Sequence, residues 1–208
     1  MYRARARVVE VGPNRMPEHS PALSPLLQPT QPLIAFRTWR VRDGELCSPY
    51  DGAVWSNATL SARCRPRNAE DFVRGDHIAP SPSCGCGISA TAGPDLNACC
   101  VDASSIVGVV RLWGRVVLQH GSLRAEHAEV VMLGAYLQWS RRQRVAAAQV
   151  AEQIGCRLVP LETLEQATVQ TLGREAVELD EATFAALHGA APALVQVPGP
   201  GRRFVHVR

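Results

Sequence analysis

The first clear alternation of apolar and polar side chains covers residues 34–42, and Asp43 and Gly44 follow it directly. A period of two is typical of β-strands, and Asp-Gly between two such runs favours a tight hairpin turn. Residues 34–46 are therefore predicted to form a hairpin. Two further short strands are predicted at residues 52–55 and 60–64.

The longest apolar pattern covers residues 105–133, where two runs rich in Val and Leu flank residues 120–122. β-branched residues favour strands, and a short polar stretch with Gly favours a turn, so one long hairpin is predicted. Gly108 and Gly114 interrupt the first run and predict a β-bulge or a close approach by another backbone. Trp113, placed among valines, is expected on the core face.

After residue 134 the apolar spacing becomes helical. Four apolar residues recur at intervals of three, and a glycine follows the last of them: Val145, Ala148, Ala151, Ile154 and Gly155. This pattern predicts an amphipathic helix that ends at Ile154. Residues 155–161 predict a short strand or extended link, and residues 161–177 predict a second helical stretch. Residues 194–197 and 204–207 flank a Pro/Gly turn and predict a closing hairpin.

These patterns predict an α+β protein, in which a mainly antiparallel β domain with a Cys/His loop precedes a smaller mixed α/β region. The β domain is assigned to residues 34–133 and the mixed region to residues 134–208. Residues 1–33 are expected to be a flexible segment because six prolines interrupt it, although residues 3–11 alternate like an edge strand. The Pro/Gly-rich residues 75–94 are predicted to be a loop with one tight turn.

Charge and hydropathy narrow the functional classes. All 22 basic residues are Arg, yet the formal net charge is only +3, and most of the surplus lies in residues 1–33. A strongly basic nucleic-acid groove is therefore not expected. No apolar run approaches the roughly 18 residues of a membrane span, and the first residues lack the apolar core of a signal peptide. We expect a cytoplasmic protein that does not associate with membranes.

Seven cysteines in a reducing compartment favour metal binding or burial over disulfides. The spacing C-x12-H-x6-C-x-C brings together four candidate ligands: Cys64, His77, Cys84 and Cys86. Zinc prefers four soft or borderline ligands at the corners of a tetrahedron, and a closed Cys3His set leaves no position for a substrate. The spacing therefore predicts a structural zinc site, with Cys47 as a reserve ligand.

Two other interpretations of these cysteines stay open. Structural zinc sites usually separate paired cysteines by two or more residues, and the C-x-C spacing of Cys84 and Cys86 is shorter. The cysteines of the cluster are therefore alternatively free buried thiols, or they include a redox pair. The adjacent Cys99 and Cys100, and Cys156 at the end of a predicted helix, are expected to be structural rather than reactive.

Acidic and histidine side chains cluster near the turn of the long predicted hairpin. His120 and His127 lie close in sequence to Glu126 and Glu129, a combination that suits acid–base catalysis. Polar side chains in an alternating strand face solvent by default, however, so a catalytic role is not predicted. The chain contains no P-loop, no dinucleotide-binding glycine pattern and neither of the G-x-S-x-G and H-E-x-x-H motifs.

The C-terminal third contains a loose match to a helix-turn-helix. Residues 151–155 and the leucines that follow have its approximate spacing, and three nearby arginines are available for phosphates: Arg141, Arg142 and Arg144. Leu158 and Val159 are apolar where a recognition helix begins with polar residues. Any nucleic-acid binding is therefore expected to be weak and strongly dependent on salt.

Residues 36–50, 53–55, 62–64, 77–90 and 109–117 resemble a family of uncharacterised actinobacterial proteins. The shared features are a Trp-led strand into a DG-x-L turn, a later Trp, C...H-x-A-P...C-x-C-G-I-x-A and L-W-G-x-V. The resemblance covers roughly residues 34–133. It implies a shared fold and supports the grouping of the four candidate ligands, but it implies no activity.

The function that best fits these observations is a zinc-stabilised, non-enzymatic interaction module whose partner is another protein. One alternative is a DNA-binding protein that uses its C-terminal helices. Another is a small enzyme whose site is not recognisable from the sequence.

Overall fold

A computed structural model describes residues 29–50, 52–64, 77–93, 105–189 and 191–200. Nine strands lie in these ranges: β1 Leu33–Arg42, β2 Glu45–Cys47, β3 Val54–Trp55, β4 Thr59–Ser61, β5 Ile88–Thr91, β6 Ser105–Gln119, β7 Ser122–Ala135, β8 Arg157–Pro160 and β9 Ala193–Val197. The helices are α1 Arg141–Ile154, a 3-10 turn Leu161–Thr163, α2 Leu164–Leu172, α3 Arg174–Val177 and α4 Glu181–His188. The sheet is mainly antiparallel and the helices follow it in sequence, which confirms the α+β prediction.

Two tight turns shape the sheet, and both were predicted. Asp43 and Gly44 connect β1 to β2, while His120 and Gly121 connect β6 to β7. All four residues have positive φ angles, which is the backbone of the two-residue hairpin turns that match strand twist. At the second turn, Ser122 Oγ also donates a hydrogen bond to the Gln119 carbonyl at 2.9 Å.

Strand pairing closes a ring of four strands. β6 pairs with β1 on one side and with β7 on the other. β5 pairs with β7 and makes one bridge to β1, Phe36 opposite Thr91, where Thr91 Oγ1 also donates to the Phe36 carbonyl. Ile88–Thr91 was predicted to be loop, and that prediction is wrong: Ile88 and Ala90 are buried because this short segment completes the ring.

The C-terminal region adds two strands to the same sheet. β8, predicted as a strand or extended link, lies parallel to the end of β7, and β9 lies antiparallel to β6. Residues 204–207, predicted to pair with β9, lie outside the described residues. Residues 1–28 also lie outside them, as do the flexibility and the edge strand predicted there. The division into domains at residues 33 and 133 stays a prediction.

Both faces of the central strands are buried. Along β6, Ile106, Val110 and Leu112 face one core cluster, whereas Val107 and Val109 face a second cluster. The first cluster contains the buried rings of Trp39 and Trp55, and the helices α1 and α4 pack on it. The second is covered by α2 and the 3-10 turn. The Arg37 guanidinium lies 5.8 Å and 5.7 Å from the centroids of the two tryptophans, and Arg37 Nη2 donates to Ser48 Oγ.

The helix α1 forms as predicted, but its buried face differs. Ser140 and Gln143 form a capping box at its start, and Gly155 ends it in the left-handed conformation. The buried positions are Ala147, Val150, Ala151 and Ile154, whereas Val145 is 48% exposed. Each residue turns a helix by about 100°, so positions spaced by three drift around it, and Val145 lies opposite Ile154. The second predicted helix breaks into α2 and α3 at Gly173, and α4 was not predicted.

Gly114 and Trp113 interrupt the β6–β7 ladder. The register shifts between Trp113 and Val116, and Gly114 has a φ of 79°, so the predicted bulge is confirmed. Trp113 is half-buried and lies in the row of partly exposed residues on β6, not among the fully buried ones. It packs against the first core cluster, as expected of a residue on the core face, but it is not fully buried. Its indole ring also stacks on the His127 ring, with 5.5 Å between centroids.

In the described part of the chain, no helix combines the length and apolar character that a membrane crossing requires.

Gly108 tests the packing between β6, β7 and β1. A Cβ at this position would lie 2.5 Å from the Met132 carbonyl oxygen and 2.8 Å from Leu133 Cδ2. We expect Gly108→Ala to lower the free energy of unfolding by about 1 to 3 kcal/mol, as for other overpacked cores. Guanidinium denaturation measures this change. Gly93→Ala, whose Cβ would meet nothing within 4 Å, is the control and should not be destabilised. Equal stability of the two variants would contradict the packing.

Candidate metal centre

The four predicted ligands lie where two strands meet end to end on one edge of β7. β4 pairs with residues 127–129 of β7, and the chain continues this ladder to Ala62, whose N–H donates to the Glu126 carbonyl. β5 begins at Ile88 opposite Ala125. Cys64 follows the end of β4, and the other three ligands precede β5. The described ends of the segment between β4 and β5 therefore lie at the same place on β7.

The ligand atoms of these residues are close enough to share one metal ion. The three sulfur atoms and the histidine nitrogen all lie within 4.8 Å of one another. Cys64 Sγ is 3.9 Å from Cys84 Sγ, and His77 Nε2 is 3.1 Å from Cys86 Sγ. Zinc with its usual bond lengths sets tetrahedral edges of about 3.8 Å between sulfurs and about 3.5 Å between sulfur and nitrogen. The donor set therefore fits zinc with movements below about 1 Å.

Local backbone geometry builds the ligand loop. The Cys84 N–H donates to the Ser81 carbonyl at 3.1 Å, which closes a turn, and the backbone of Ser81 also hydrogen-bonds the Cys86 sulfur. Gly87 follows with a φ of 114°, and a Cβ there would lie 2.9 Å from Pro80 Cβ and 3.1 Å from Arg124 Cβ. Because both the φ angle and the space exclude a side chain, only glycine lets the loop pass so close to β7.

Arg124 of β7 fixes this loop from outside. Its Nη1 atom donates to three backbone carbonyls, those of Ser81 and Cys86 at 3.1 Å and that of Cys84. Two of these carbonyls belong to ligand residues. Arg124 therefore orients the ligands through the backbone and places a positive charge beside three thiols. A zinc ion bound by three thiolates and a neutral imidazole carries a net charge of minus one, which this guanidinium partly balances.

The crowding of thiols has an electrostatic consequence. Burial raises the pKa of the Cys86 thiol to about 12, the Ser81 backbone hydrogen bond lowers it, and Cys84 and Cys64 raise it further. Thiolates this close repel one another unless a cation lies between them. Without a cation the raised pKa keeps the Cys86 thiol protonated, whereas a divalent ion among the three sulfurs would favour the thiolate form that ligates it.

The remaining described cysteines lie away from this cluster. Cys47, the reserve ligand, is buried in β2 and is not part of the group that can hold a metal. Cys156 is half-buried against the core, and burial raises the pKa of its thiol to about 11, as expected of a structural cysteine. None of the described cysteines forms a disulfide. Cys99 and Cys100 lie outside the described residues.

The acidic and histidine residues near the hairpin turn have separate surroundings. His120 is in the turn itself, and Glu129 forms an ion pair with Arg111 at 2.5 Å. His127 lies opposite Ser61 of β4, and its Nδ1 atom is 2.9 Å from Ser61 Oγ. Glu126 and His127 are in contact, with 3.4 Å between Glu126 Oε1 and His127 Nε2.

The helix-turn-helix geometry considered from the sequence is wrong. Arg157–Pro160 forms β8 between α1 and α2, where that motif requires a tight turn, because Leu158 and Val159 pair with β7. Arg144 Nη1 donates to the carbonyls of Leu137 and Trp139. Arg141 and Arg142 are exposed at the start of α1.

Sequence spacing identified the four residues that the structure brings together, but not the residues that position them. Arg124 lies in an alternating run with several other polar residues, and nothing local distinguishes it. Its role depends on the register in which Arg124 pairs with Ser89 of β5. Gly87 offered a signal, since it directly follows the last ligand, but its contact with β7 also depends on that register.

Comparison with models of protein families, with curated proteins and with solved structures finds no match to this chain.

Arg124 provides a test of the ligand loop. Removing the guanidinium in Arg124→Met releases three carbonyls of the loop, so we expect zinc affinity to fall between about 10-fold and 100-fold, as for other residues that orient metal ligands. Competition with a chromophoric chelator measures the affinity. Arg111→Met removes the same charge from β6 and is the control. Unchanged affinity in Arg124→Met, or an equal loss in both variants, would contradict this role.

Proposed function

We propose that Cys64, His77, Cys84 and Cys86 bind one zinc ion, and that the ion stabilises a module that binds another protein. The observation that carries this proposal is the convergence of three thiols and one imidazole within 4.8 Å. Three thiolates and an imidazole form a soft and borderline donor set that suits zinc better than magnesium or calcium.

The metal would have a structural role. Four protein ligands complete a tetrahedral zinc site, so no position remains for a substrate or an activated water. The ligands also join the end of β4 to the start of β5, two strands that pair with β7 but are only three and four residues long. A cross-link at this junction restricts the unfolded chain and holds both strands on β7.

Exposed apolar side chains support binding to a protein. Ile78, next to the ligand His77, is 63% exposed, so ordering of the metal loop would also fix this side chain at the surface. Tyr50 and Val54 are 59% and 43% exposed, and Val54 lies in β3, which ends the sheet path on that side. Isolated exposed apolar residues are common, but an apolar residue fixed beside a structural metal is well suited to a partner contact.

Nucleic-acid binding has weaker support. The turn that a helix-turn-helix requires is replaced by β8, and Arg144 is engaged by backbone carbonyls. Only Arg141 and Arg142 of the three arginines considered for phosphate contacts are exposed without such a bond to the backbone. Two phosphate contacts would give low affinity.

Metal content tests the first part of the proposal. Protein purified without added metal should contain about one equivalent of zinc by elemental analysis, because the four ligands form one closed site. Cys84→Ser should lose most of this zinc and unfold at lower temperature, since structural zinc contributes directly to folding. Cys156→Ser, which changes a cysteine outside the cluster, should keep it. Metal-free wild-type protein that is fully folded and has reactive thiols would contradict the proposal.

Ile78 tests the second part. We expect Ile78→Ser to retain zinc and thermal stability, because its side chain is exposed, and to lose at least about tenfold in affinity for a partner captured by the full chain. Titration calorimetry with the purified partner gives the affinity. Phe184→Ser removes another exposed apolar side chain, on α4, and should bind normally. Equal binding by wild type and Ile78→Ser would show that the metal loop is not part of the interface.

A further inference from the structure

The β6 bulge at Gly114 lies beside Glu126 and His127 of β7, whose side chains are in contact with each other. Adjacent residues of a regular strand point to opposite faces, but the bulge interrupts the ladder between Trp113 and Val116, opposite residues 125–127. Ala125 and Ala128 are buried, whereas Glu126 and His127 between them are both partly exposed. β-Bulges occur next to active sites because they redirect side chains in this way.

The glycine in the bulge is required by these two residues. A Cβ at Gly114 would lie 2.8 Å from Glu126 Oε2 and 2.9 Å from His127 Cδ2. The N–H of Arg115, which follows in the bulge, donates to Glu126 Oε2 at 3.0 Å. One carboxylate oxygen is thus held by the backbone, and the other, Oε1, lies 3.4 Å from His127 Nε2.

The imidazole of His127 is fixed from two further directions. Its ring stacks on the indole of Trp113 with an interplanar angle of 26°. Its Nδ1 atom lies 2.9 Å from Ser61 Oγ. A carboxylate at Nε2 favours the tautomer with a proton on that nitrogen, so Nδ1 carries the lone pair and accepts the hydrogen bond from the Ser61 hydroxyl.

We propose that Ser61, His127 and Glu126 form a second site, separate from the metal, in which Ser61 acts as the nucleophile of acyl transfer from an ester. Ser61 Oγ attacks the ester carbonyl as His127 Nδ1 takes the hydroxyl proton, and a carbon–oxygen bond to Ser61 forms. The ester bond to the leaving alcohol breaks, and His127 returns the proton to it. Water then attacks the acyl-enzyme with the help of His127, which releases the acid and restores Ser61.

The strand register also provides a hydrogen-bond donor for the oxyanion. Ala62 N–H donates to the Glu126 carbonyl, and Val130 N–H donates to the Ala58 carbonyl. These bonds alternate along the β4–β7 ladder, so the Ser61–His127 pair occupies a position without ladder hydrogen bonds. The Ser61 N–H therefore points away from β7, toward the edge of β4 to which no described strand pairs. The N–H of the nucleophile itself is a known element of oxyanion holes.

A fluorophosphonate probe tests this site directly. Ser61 Oγ should attack the phosphorus atom, forming an oxygen–phosphorus bond as fluoride leaves and His127 takes the proton. Incubation of the full chain with the probe, followed by peptide mass spectrometry, should therefore locate one adduct on Ser61. We expect His127→Ala to slow labelling by at least about 100-fold and Glu126→Gln by at least about tenfold.

Matched controls separate activation from simple exposure. His120→Ala removes the histidine of the neighbouring turn, and Ser122→Ala removes an exposed serine of β7; both should be labelled at the wild-type rate. Zinc content and thermal midpoint are measured for every variant, and Ser61→Ala, which changes an exposed side chain, should keep both while losing the label. Absence of an adduct on folded wild-type protein, or equal labelling of wild type and His127→Ala, would overturn the proposal.

Discussion

The rest of the structure depends on how the edge of β7 that does not face β6 is paired. One edge pairs with β6 along almost its whole length, and the other receives three strands in succession: β5, β4 and β8. These strands have four, three and four residues, too few to be stable alone. Each must therefore be held in place by something beyond its own ladder. β5 is held by its bridge to β1, and β8 by the helix α1 that precedes it.

β4 and the start of β5 have a different support. Their ends converge on Ala125 and Glu126, and the chain between them carries all four candidate ligands. Arg124, one residue earlier on β7, binds the carbonyls of the same loop. The loop is thus fixed to β7 by hydrogen bonds at one point and by ligand convergence at another. A cluster of apolar side chains would hold the loop less well than the candidate ligands, because all four of these positions are partly exposed to solvent.

The parts of this arrangement that follow from local chemistry were predictable from sequence. The turns at Asp43–Gly44 and His120–Gly121 require only residues that adopt the left-handed backbone conformation. Asp-Gly and a polar stretch that contains Gly are local signals for such turns. The proximity of the four candidate ligands requires only that one loop return to the place where it began, so their spacing in the sequence was enough to predict it. The contacts of Arg124, the strand Ile88–Thr91 and the position of Trp113 instead depend on register between segments distant in sequence. No local pattern encodes that register, so these features appear only in the folded chain.

The candidate metal centre and the proposed serine site share one physical support, although their chemistry is separate. Ser61 is the last residue of β4, and Cys64 lies three residues later. The contact between Ser61 and His127 requires β4 to lie in register on β7, with Ser61 opposite His127. A three-residue strand makes few ladder hydrogen bonds, and the last of them is at Ala62. Metal ligation by Cys64, two residues later, would add a further fixed point for its register. A one-residue slip of β4 would turn the Ser61 side chain to the opposite face of the sheet and remove it from His127.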